Sequence, residues 1–216
     1  MDIRIKQYLS WSQFSMFLRS KEEYRRVYIN GGKTFSNKET EFGSRVSDGL
    51  ENSDEENLTG DAVVDFCKLS LPKVDEREKE MTVKFGDITL LVRMDGFEKP
   101  SLIYEYKTGH LTPDGKKPWT QAKVDSWGQL TFYAFAFYLS TGIIPDLKLV
   151  WIPTKKIETG EFNDRGKSIY RIELTGESPI VFNTKRTLVD FAKMSIKIKK
   201  VWEEIGEMVK EEALKD

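Results

Sequence analysis

The stretch "EMTVKFGDITLLVRMDGFEKPSLIYEYKTG", positions 80–109, contains three short runs rich in β-branched and aromatic residues. Such residues favour a pleated, half-buried backbone. Gly86-Asp87 and the turn sequence "GFEKP" separate the runs, and runs joined by such short turns pair most simply as antiparallel neighbours. The stretch therefore predicts three consecutive antiparallel strands, at about residues 80–85, 88–95 and 101–107.

Helical patterns lie on both sides of these strands. About residues 1–70 form an N-terminal helical part, and "WTQAKVDSWGQLTFYAFAFYLSTG" (119–142) predicts one long apolar helix that stops at Gly142. Two more strands follow, "LKLVWIPT" and "KSIYRIEL". Apolar residues at spacings of three and four predict an amphipathic helix at about 184–212. The order predicts one α/β domain, residues 1–216, with a mixed central sheet flanked by helices.

The composition excludes several kinds of site. Cys67 and His110 are the only cysteine and the only histidine among 216 residues. An internal disulfide, a four-cysteine iron–sulfur cluster and a thiolate-rich zinc site are therefore excluded. Any metal would bind mainly to carboxylates, which favours Mg²⁺ or Mn²⁺. The formal net charge of −1 gives no sign of nucleic-acid binding, although affinity follows local clusters of charge rather than the sum.

Hydropathy argues against a membrane location. The chain has no run of about 18 or more apolar residues, and no basic segment followed by an apolar stretch at its start. We therefore expect a protein that is not secreted and has no membrane partner. The cytoplasm is its expected location, or the host cytoplasm for a phage-encoded chain.

An acidic residue two positions before a lysine occurs three times. The three occurrences are Glu105-Tyr106-Lys107, Asp114-Gly115-Lys116 and Asp146-Leu147-Lys148. The spacing alone is weak evidence, because composition can produce it. The second occurrence lies in a turn rich in proline and glycine, and the third follows a proline at the foot of a strand. Only the first lies inside a predicted interior strand, so it is the candidate for chemistry.

Alternation along that strand places Glu105 and Lys107 on one face. The preceding strand ends at Asp95, so a hairpin would bring the two carboxylates together. Two carboxylates at one spot repel each other unless a cation holds them. We therefore expect Mg²⁺ or Mn²⁺ bound by Asp95, Glu105 and the backbone carbonyl of Tyr106, with Lys107 orienting or deprotonating a water molecule. A strand-end ion pair is the alternative interpretation.

Two polar residues interrupt the apolar helix that follows. In "GQLTFY", Gln129 and Tyr133 are four positions apart and so lie on one helix face. If the helix covers the sheet, the two side chains would reach the carboxylates and hold a phosphate or position Lys107. Simple helix packing is the alternative for this pair.

The ordered set resembles the PD-(D/E)xK nuclease superfamily, and within it the RecB-like exonuclease branch, which includes phage exonucleases and the CRISPR adaptation nuclease. The resemblance spans about residues 9–153 and implies a restriction-endonuclease-like core. It implies that two carboxylates bind the metal, that the lysine serves the water, and that the glutamine and tyrosine support substrate and geometry. The matching positions are Asp95, Glu105, Lys107, Gln129 and Tyr133.

The chain departs from that branch in two ways. Members often carry a histidine metal ligand in the helix ahead of the sheet, and Ser47 stands at the matching position here. A metal ligand is then either missing here or replaced by Glu41 or Asp48, unless Ser47 itself serves. The cysteines that hold an iron–sulfur cluster in some relatives are absent, with Ser20 near the expected first position, so no such cluster is expected.

The expected function is a metal-dependent deoxyribonuclease, acting as an exonuclease on DNA ends or single strands in recombination, repair, phage or CRISPR-type processing. The alternative is a catalytically impaired DNA-binding or scaffold subunit that keeps the nuclease fold. Single-stranded DNA or duplex ends are the expected partner, with other recombination or CRISPR-type proteins as further candidates. The expected DNA contacts are Arg19, Arg25 and Arg26, plus Trp119 stacked on unpaired bases.

Overall fold

The computed structural model describes residues 7–52, 57–112, 114–162 and 164–214. The helices are α1 (Trp11–Arg19), α2 (Lys21–Tyr24), α3 (Lys38–Glu51), α4 (Ala62–Ser70), α5 (Gln121–Asp125), α6 (Gly128–Thr141) and α7 (Leu188–Ala213). The strands are β1 (Leu9–Ser10), β2 (Glu76–Phe85), β3 (Ile88–Glu98), β4 (Leu102–His110), β5 (Asp146–Phe162), β6 (Ser168–Leu174) and β7 (Ile180–Thr184). A π-helical turn, Arg25–Ile29, follows α2.

The strands form one mixed sheet in the order β1-β3-β4-β5-β6, with β2 paired to β3 and β7 paired to β5. Strands β2, β3 and β4 are consecutive antiparallel neighbours, which confirms the prediction from the central stretch. Strands β4 and β5 run parallel, and the connection between them carries α5 and α6. A crossover of this kind is what a parallel pair needs, because a tight turn cannot join two parallel strands.

Helices cover both faces of the sheet, so the predicted mixed α/β architecture is confirmed. The larger core cluster joins one face of the sheet to α1, α6 and α7, for example through Phe14, Phe132 and Ile198. A smaller cluster joins the other face to α3 and α4 through Phe42 and Cys67. None of the helices in the described ranges is both long and apolar enough to cross a bilayer.

Several boundaries differ from the sequence prediction. The predicted single helix over 119–142 is wrong, because the chain leaves the helical path after Asp125 and resumes at Gly128. Its predicted end is confirmed, since Gly142 caps α6 with a φ of 73°. Strand β2 begins four residues earlier than predicted, at Glu76, and β1 and β7 were not predicted.

Candidate active site

Asp95 and Glu105 meet where β3 and β4 separate. Backbone pairing between the two strands stops at Gly96 and Tyr104, and one step further it would place Asp95 beside Glu105. Beyond that point the Asp95 side chain replaces a backbone carbonyl as the acceptor, because its Oδ2 accepts a hydrogen bond from the backbone N–H of Tyr106 at 2.6 Å. The predicted hairpin therefore brings both carboxylates together, and Tyr106 fixes the orientation of one of them.

Gly96 makes this geometry possible next to Asp95. A Cβ at this position would lie 2.9 Å from Tyr106 Oη and 3.1 Å from a methyl of Val74. Both distances are closer than ordinary packing allows. The strand can carry Asp95 into the junction only because the next residue has no side chain.

Glu105 and Lys107 form an ion pair on one face of β4, as the alternation predicted. Glu105 is completely buried, while the Lys107 side chain is 30% exposed. The second carboxylate oxygen, Glu105 Oε2, has no hydrogen-bond partner among the described residues. A buried carboxylate oxygen without a donor is costly unless a cation or another donor compensates it.

The pKa values of the three groups reflect burial and mutual charge. Burial, together with the charge of Glu105, holds the pKa of Asp95 well above its ordinary value. Burial likewise raises the pKa of Glu105, although the charge of Lys107 opposes this. Burial lowers the pKa of Lys107, but the carboxylates of Glu105 and Asp95 outweigh it and the net shift is upward. Without a bound cation, Lys107 therefore lies beside the carboxylates as a cation and hydrogen-bond donor.

Gln129 and Tyr133 reach the same place from α6. Both are buried, and the Gln129 amide donates to Tyr133 Oη at 2.9 Å. Gln129 also helps to lower the pKa of Glu105. Burial raises the pKa of the Tyr133 phenol, and the charges of Glu105 and Asp95 add to the effect. The structure thus brings all five residues of the predicted set together.

A cavity of about 470 Å³ between α3 and the sheet reaches two of the five residues, Asp95 and Lys107. Asp95, Tyr106 and Lys107 lie on the sheet side. The α3 side includes Glu39, the apolar Val46 and Leu50, and a stripe of small residues that comprises Thr40, Gly43, Ser44 and Ser47. A substrate group that enters the cavity would therefore contact Asp95 and the Lys107 ammonium on one side and the small side chains of α3 on the other.

The structure does not bring the candidate replacement ligands Glu41 and Asp48 to the cavity. Both are exposed, and neither lines it. They lie about a quarter turn around α3 from Ser47, because successive helical residues rotate by about 100°. The expectation that either one replaces a ligand is therefore wrong for this arrangement.

Ser47 instead contacts an acidic residue that the sequence analysis missed. Its hydroxyl donates to Oε1 of Glu78 in β2, and Glu78 also pairs with Arg93 Nε at 2.8 Å. Glu78 was missed because the highly charged segment "EREKE" has no apolar face, so the strand was predicted to begin only at Glu80. The spacing of two between Glu76, Glu78 and Glu80 continues the strand period and was the available signal.

The residues fit the expected divalent cation in charge and donor chemistry. Asp95 and the completely buried Glu105 supply carboxylate oxygens whose mutual repulsion a cation would relieve, and the backbone of Tyr106 contacts Asp95 through its N–H. Within the part of the chain that the structure describes, no three His, Cys, Asp or Glu side chains are grouped closely enough to hold a metal. Two carboxylates are therefore the protein side chains available in the arrangement as it stands.

The predicted DNA contacts do not lie at this cavity. Arg25 pairs with Glu211 at 2.8 Å, and Arg26 pairs with Glu23 at 2.7 Å. Arg19 is exposed and lines a separate cavity beside Lys197 and Lys200. The two cavities have no lining residue in common.

The prediction that Trp119 stacks on unpaired bases is contradicted by its burial. Only 7% of the residue is exposed, because its ring packs edge-on against Trp127 at 4.8 Å. Lys123 Nζ lies 4.3 Å from the centre of the same ring. Trp119 is therefore part of the core that supports α5 and α6.

Comparison with known proteins gives a likeness of fold. No family model matches the chain, and no curated protein matches its sequence. The chain is similar to the crystal structure of a candidate exonuclease from Eubacterium rectale, with a TM-score of 0.51 and 14% identity over 94% of this chain and 80% of that one. The chain is also similar to the exonuclease LHK-Exo from Laribacter hongkongensis, solved in complex with dAMP. The TM-score is 0.42 and the identity 12%, over 97% of this chain and 95% of that one. A likeness of 0.51 to the first of these supports the mixed α/β fold described above.

Proposed function

We propose that the chain is a divalent-metal-dependent deoxyribonuclease of the PD-(D/E)xK superfamily, RecB-like branch, which hydrolyses DNA phosphodiester bonds. The observation that carries the proposal is the grouping of two carboxylates, one lysine and the Gln–Tyr pair of α6 beside a cavity that Asp95 and Lys107 line. A bound Mg²⁺ or Mn²⁺ would be held by Asp95, Glu105 and the carbonyl of Tyr106. It would supply Lewis-acid stabilisation of the phosphoryl group and a more acidic water molecule.

The chain's own residues divide the remaining work. Lys107 places a fixed positive charge at the cavity, where negative charge develops on the phosphate. The N–H of Tyr106 holds Asp95 in place. Gln129 and Tyr133 support Glu105 from the helix side, so that β4 presents its carboxylate in one orientation.

Exonuclease action on DNA ends or single strands is the preferred form of this activity. The fold shared with the candidate exonuclease from Eubacterium rectale agrees with it. A place in recombination, repair, phage or CRISPR-type processing, with proteins of such pathways as partners, belongs to the same proposal.

The second candidate is a DNA-binding or scaffold subunit with impaired catalysis. The observation that favours it is Ser47, which occupies the position of the usual histidine ligand and turns its hydroxyl to Glu78. A subunit of this kind would bind DNA with the same affinity with or without a divalent cation.

A cleavage assay separates the two candidates. End-labelled single-stranded, end-labelled duplex and circular DNA are incubated with Mn²⁺, Mg²⁺ or EDTA. We expect cleavage of the linear substrates, release of short products from their ends, and no activity in EDTA or in Lys107→Ala. The matched control is Lys116→Ala, which removes the lysine of the exposed Asp114–Lys116 pair and should keep full activity.

Cleavage that survives both EDTA and Lys107→Ala would overturn the assignment. Nicking of the circular substrate would assign endonuclease action instead. Metal-independent DNA binding without any cleavage would establish the scaffold candidate.

A further inference from the structure

Glu78 lies beside the two carboxylates of the proposed metal site. The β2–β3 register pairs Arg77 with Gly96 and Lys79 with Met94 and skips the step between them, where Glu78 and Asp95 are the opposing positions. The charge of Glu78 acts on Asp95 there. Asp95 in turn lies beside Glu105 across β3 and β4. Three neighbouring strands therefore place one acidic residue each in a single row across the sheet.

The backbone at Glu78 has an unusual conformation. Its φ is +47°, and it is the one non-glycine residue with a positive φ in the described ranges. This left-handed region favours glycine and typically costs a residue with a side chain about 1–3 kcal/mol. A glycine would satisfy the backbone better, so the presence of glutamate points to a use for the side chain.

The Glu78 carboxylate is held from two sides and remains able to bind. Its side chain is 11% exposed, Ser47 Oγ donates to Oε1, and Arg93 Nε forms an ion pair with Oε2 at 2.8 Å. An ionised carboxylate has about four lone-pair positions, so one on each oxygen stays available. The negative charge of Glu78 also helps to raise the pKa values of Asp95 and Glu105.

We propose that Glu78 is a third carboxylate ligand of the divalent cation, and that Ser47 orients it. The row Glu78, Asp95, Glu105 would supply three oxygen ligands from three strands, once a shift of the Glu78 carboxylate toward Asp95 that keeps its Ser47 contact brings the three groups close enough to share one ion. The buried Oε2 of Glu105, which has no partner among the described residues, points independently to a cation there. The proposal rests on the proposed function, because it assumes a cation between Asp95 and Glu105.

The test measures Mn²⁺ affinity by calorimetry on the full chain. We expect Glu78→Gln to weaken Mn²⁺ binding at least about tenfold, in line with losses of metal-site partners. The matched control is Glu80→Gln, which removes the same charge from an exposed residue on the same strand and should change affinity less than about twofold. Glu78→Asp keeps the charge but shortens the reach, so it should also weaken binding if Glu78 is a ligand.

Ser47→Ala supplies a second line of evidence that does not depend on Glu78 variants folding. We expect a several-fold loss of affinity in the wild-type background and no further loss in Glu78→Gln, since Ser47 would act through Glu78. Unchanged affinity in Ser47→Ala would overturn the orienting role. Wild-type affinity in Glu78→Asp together with a loss in Glu78→Gln would leave only a charge effect and overturn the ligand.

Asp95→Asn separates a failure of the Glu78 ligand from a failure of the metal site itself. If Asp95→Asn abolishes Mn²⁺ binding and Glu78→Gln binds like the wild type, this inference fails and the proposed function stands. If the wild-type chain itself binds no Mn²⁺, the metal site and the inference both fail.

Discussion

The three acid-x-lysine pairs differ in their surroundings rather than in their spacing. Asp114 and Lys116 form an ion pair in solvent, with side chains 54% and 79% exposed. Asp146 does not pair with its own lysine but with Lys185, at 3.0 Å. Only Glu105 is buried, next to a second carboxylate. Sequence could select this pair through its strand position. The spacing of two in "EREKE" could have extended the strand to Glu78, but it could not show the positive φ at Glu78 or its contact with Ser47.

Burial of Glu105 predicts a trade-off between stability and metal binding. Without a cation, its charge is desolvated and repelled by Asp95, so its pKa in the native state lies above that in the unfolded chain. The native state then binds the proton more tightly, and wild-type stability falls as pH rises through the native pKa. We expect Glu105→Gln to be more stable than the wild type in EDTA at pH 8, by about 1 kcal/mol or more, and the gain to shrink at pH 5.

Urea unfolding followed by tryptophan fluorescence measures this gain. The matched control is Asp114→Asn, which removes a carboxylate from an exposed ion pair and should change stability by less than about 0.5 kcal/mol at either pH. A Glu105→Gln variant that is less stable than the wild type at pH 8 would contradict the argument.

The break between α5 and α6 is an element-scale feature that local sequence did not predict. The apolar pattern of the segment favours one helix, but Arg186, about sixty positions away in sequence, donates to the carbonyls of Val124 and Trp127 at 3.0 and 3.2 Å. The same guanidinium donates to Thr131 and Thr184. The same carbonyls also accept backbone N–H groups, Val124 from Trp127 at 3.1 Å and Trp127 from Thr131 at 3.4 Å, so the guanidinium stabilises a turn at this point and tertiary contacts override the helical propensity.

Because the Arg186 guanidinium is buried, we expect a large loss of folding stability when its hydrogen-bond donors are removed. Arg186 is 4% exposed, and burial lowers its pKa. Arg186→Met keeps much of the volume but leaves the two carbonyls and two hydroxyls without the guanidinium donor. We expect a loss of about 2–4 kcal/mol in the free energy of unfolding, since hydrogen bonds to charged groups contribute about 1.5–3 kcal/mol each and do not add fully. Lys185→Met, the exposed neighbour, is the control and should cost less than about 1 kcal/mol; equal losses would refute the role of Arg186.

At the scale of the whole molecule, the sequence predicted best those elements in which the hydrophobic period and the turn residues indicate the same structure. The three central strands, the two-sided helical cover and the amphipathic C-terminal helix were all predicted from pattern. Strand β7 was missed because its five residues are too few for a clear period, and Val181 in the middle of it is 43% exposed. The single domain over 1–216 stays a prediction, and it has a physical basis in α7, which packs into the same core cluster as β2 and β3.

A shared core predicts that α7 and the sheet unfold together. Ile198 in α7 is completely buried in this cluster, whereas Ile196, two residues earlier, is 68% exposed. Ile198→Ala should lower the free energy of unfolding by about 2–5 kcal/mol, and Ile196→Ala by less than about 1 kcal/mol. In one cooperative domain, far-UV circular dichroism and tryptophan fluorescence should give the same midpoint for each variant. A circular-dichroism transition that moves to lower urea in Ile198→Ala while fluorescence stays unchanged would mean that α7 detaches independently, and would refute the single-domain prediction.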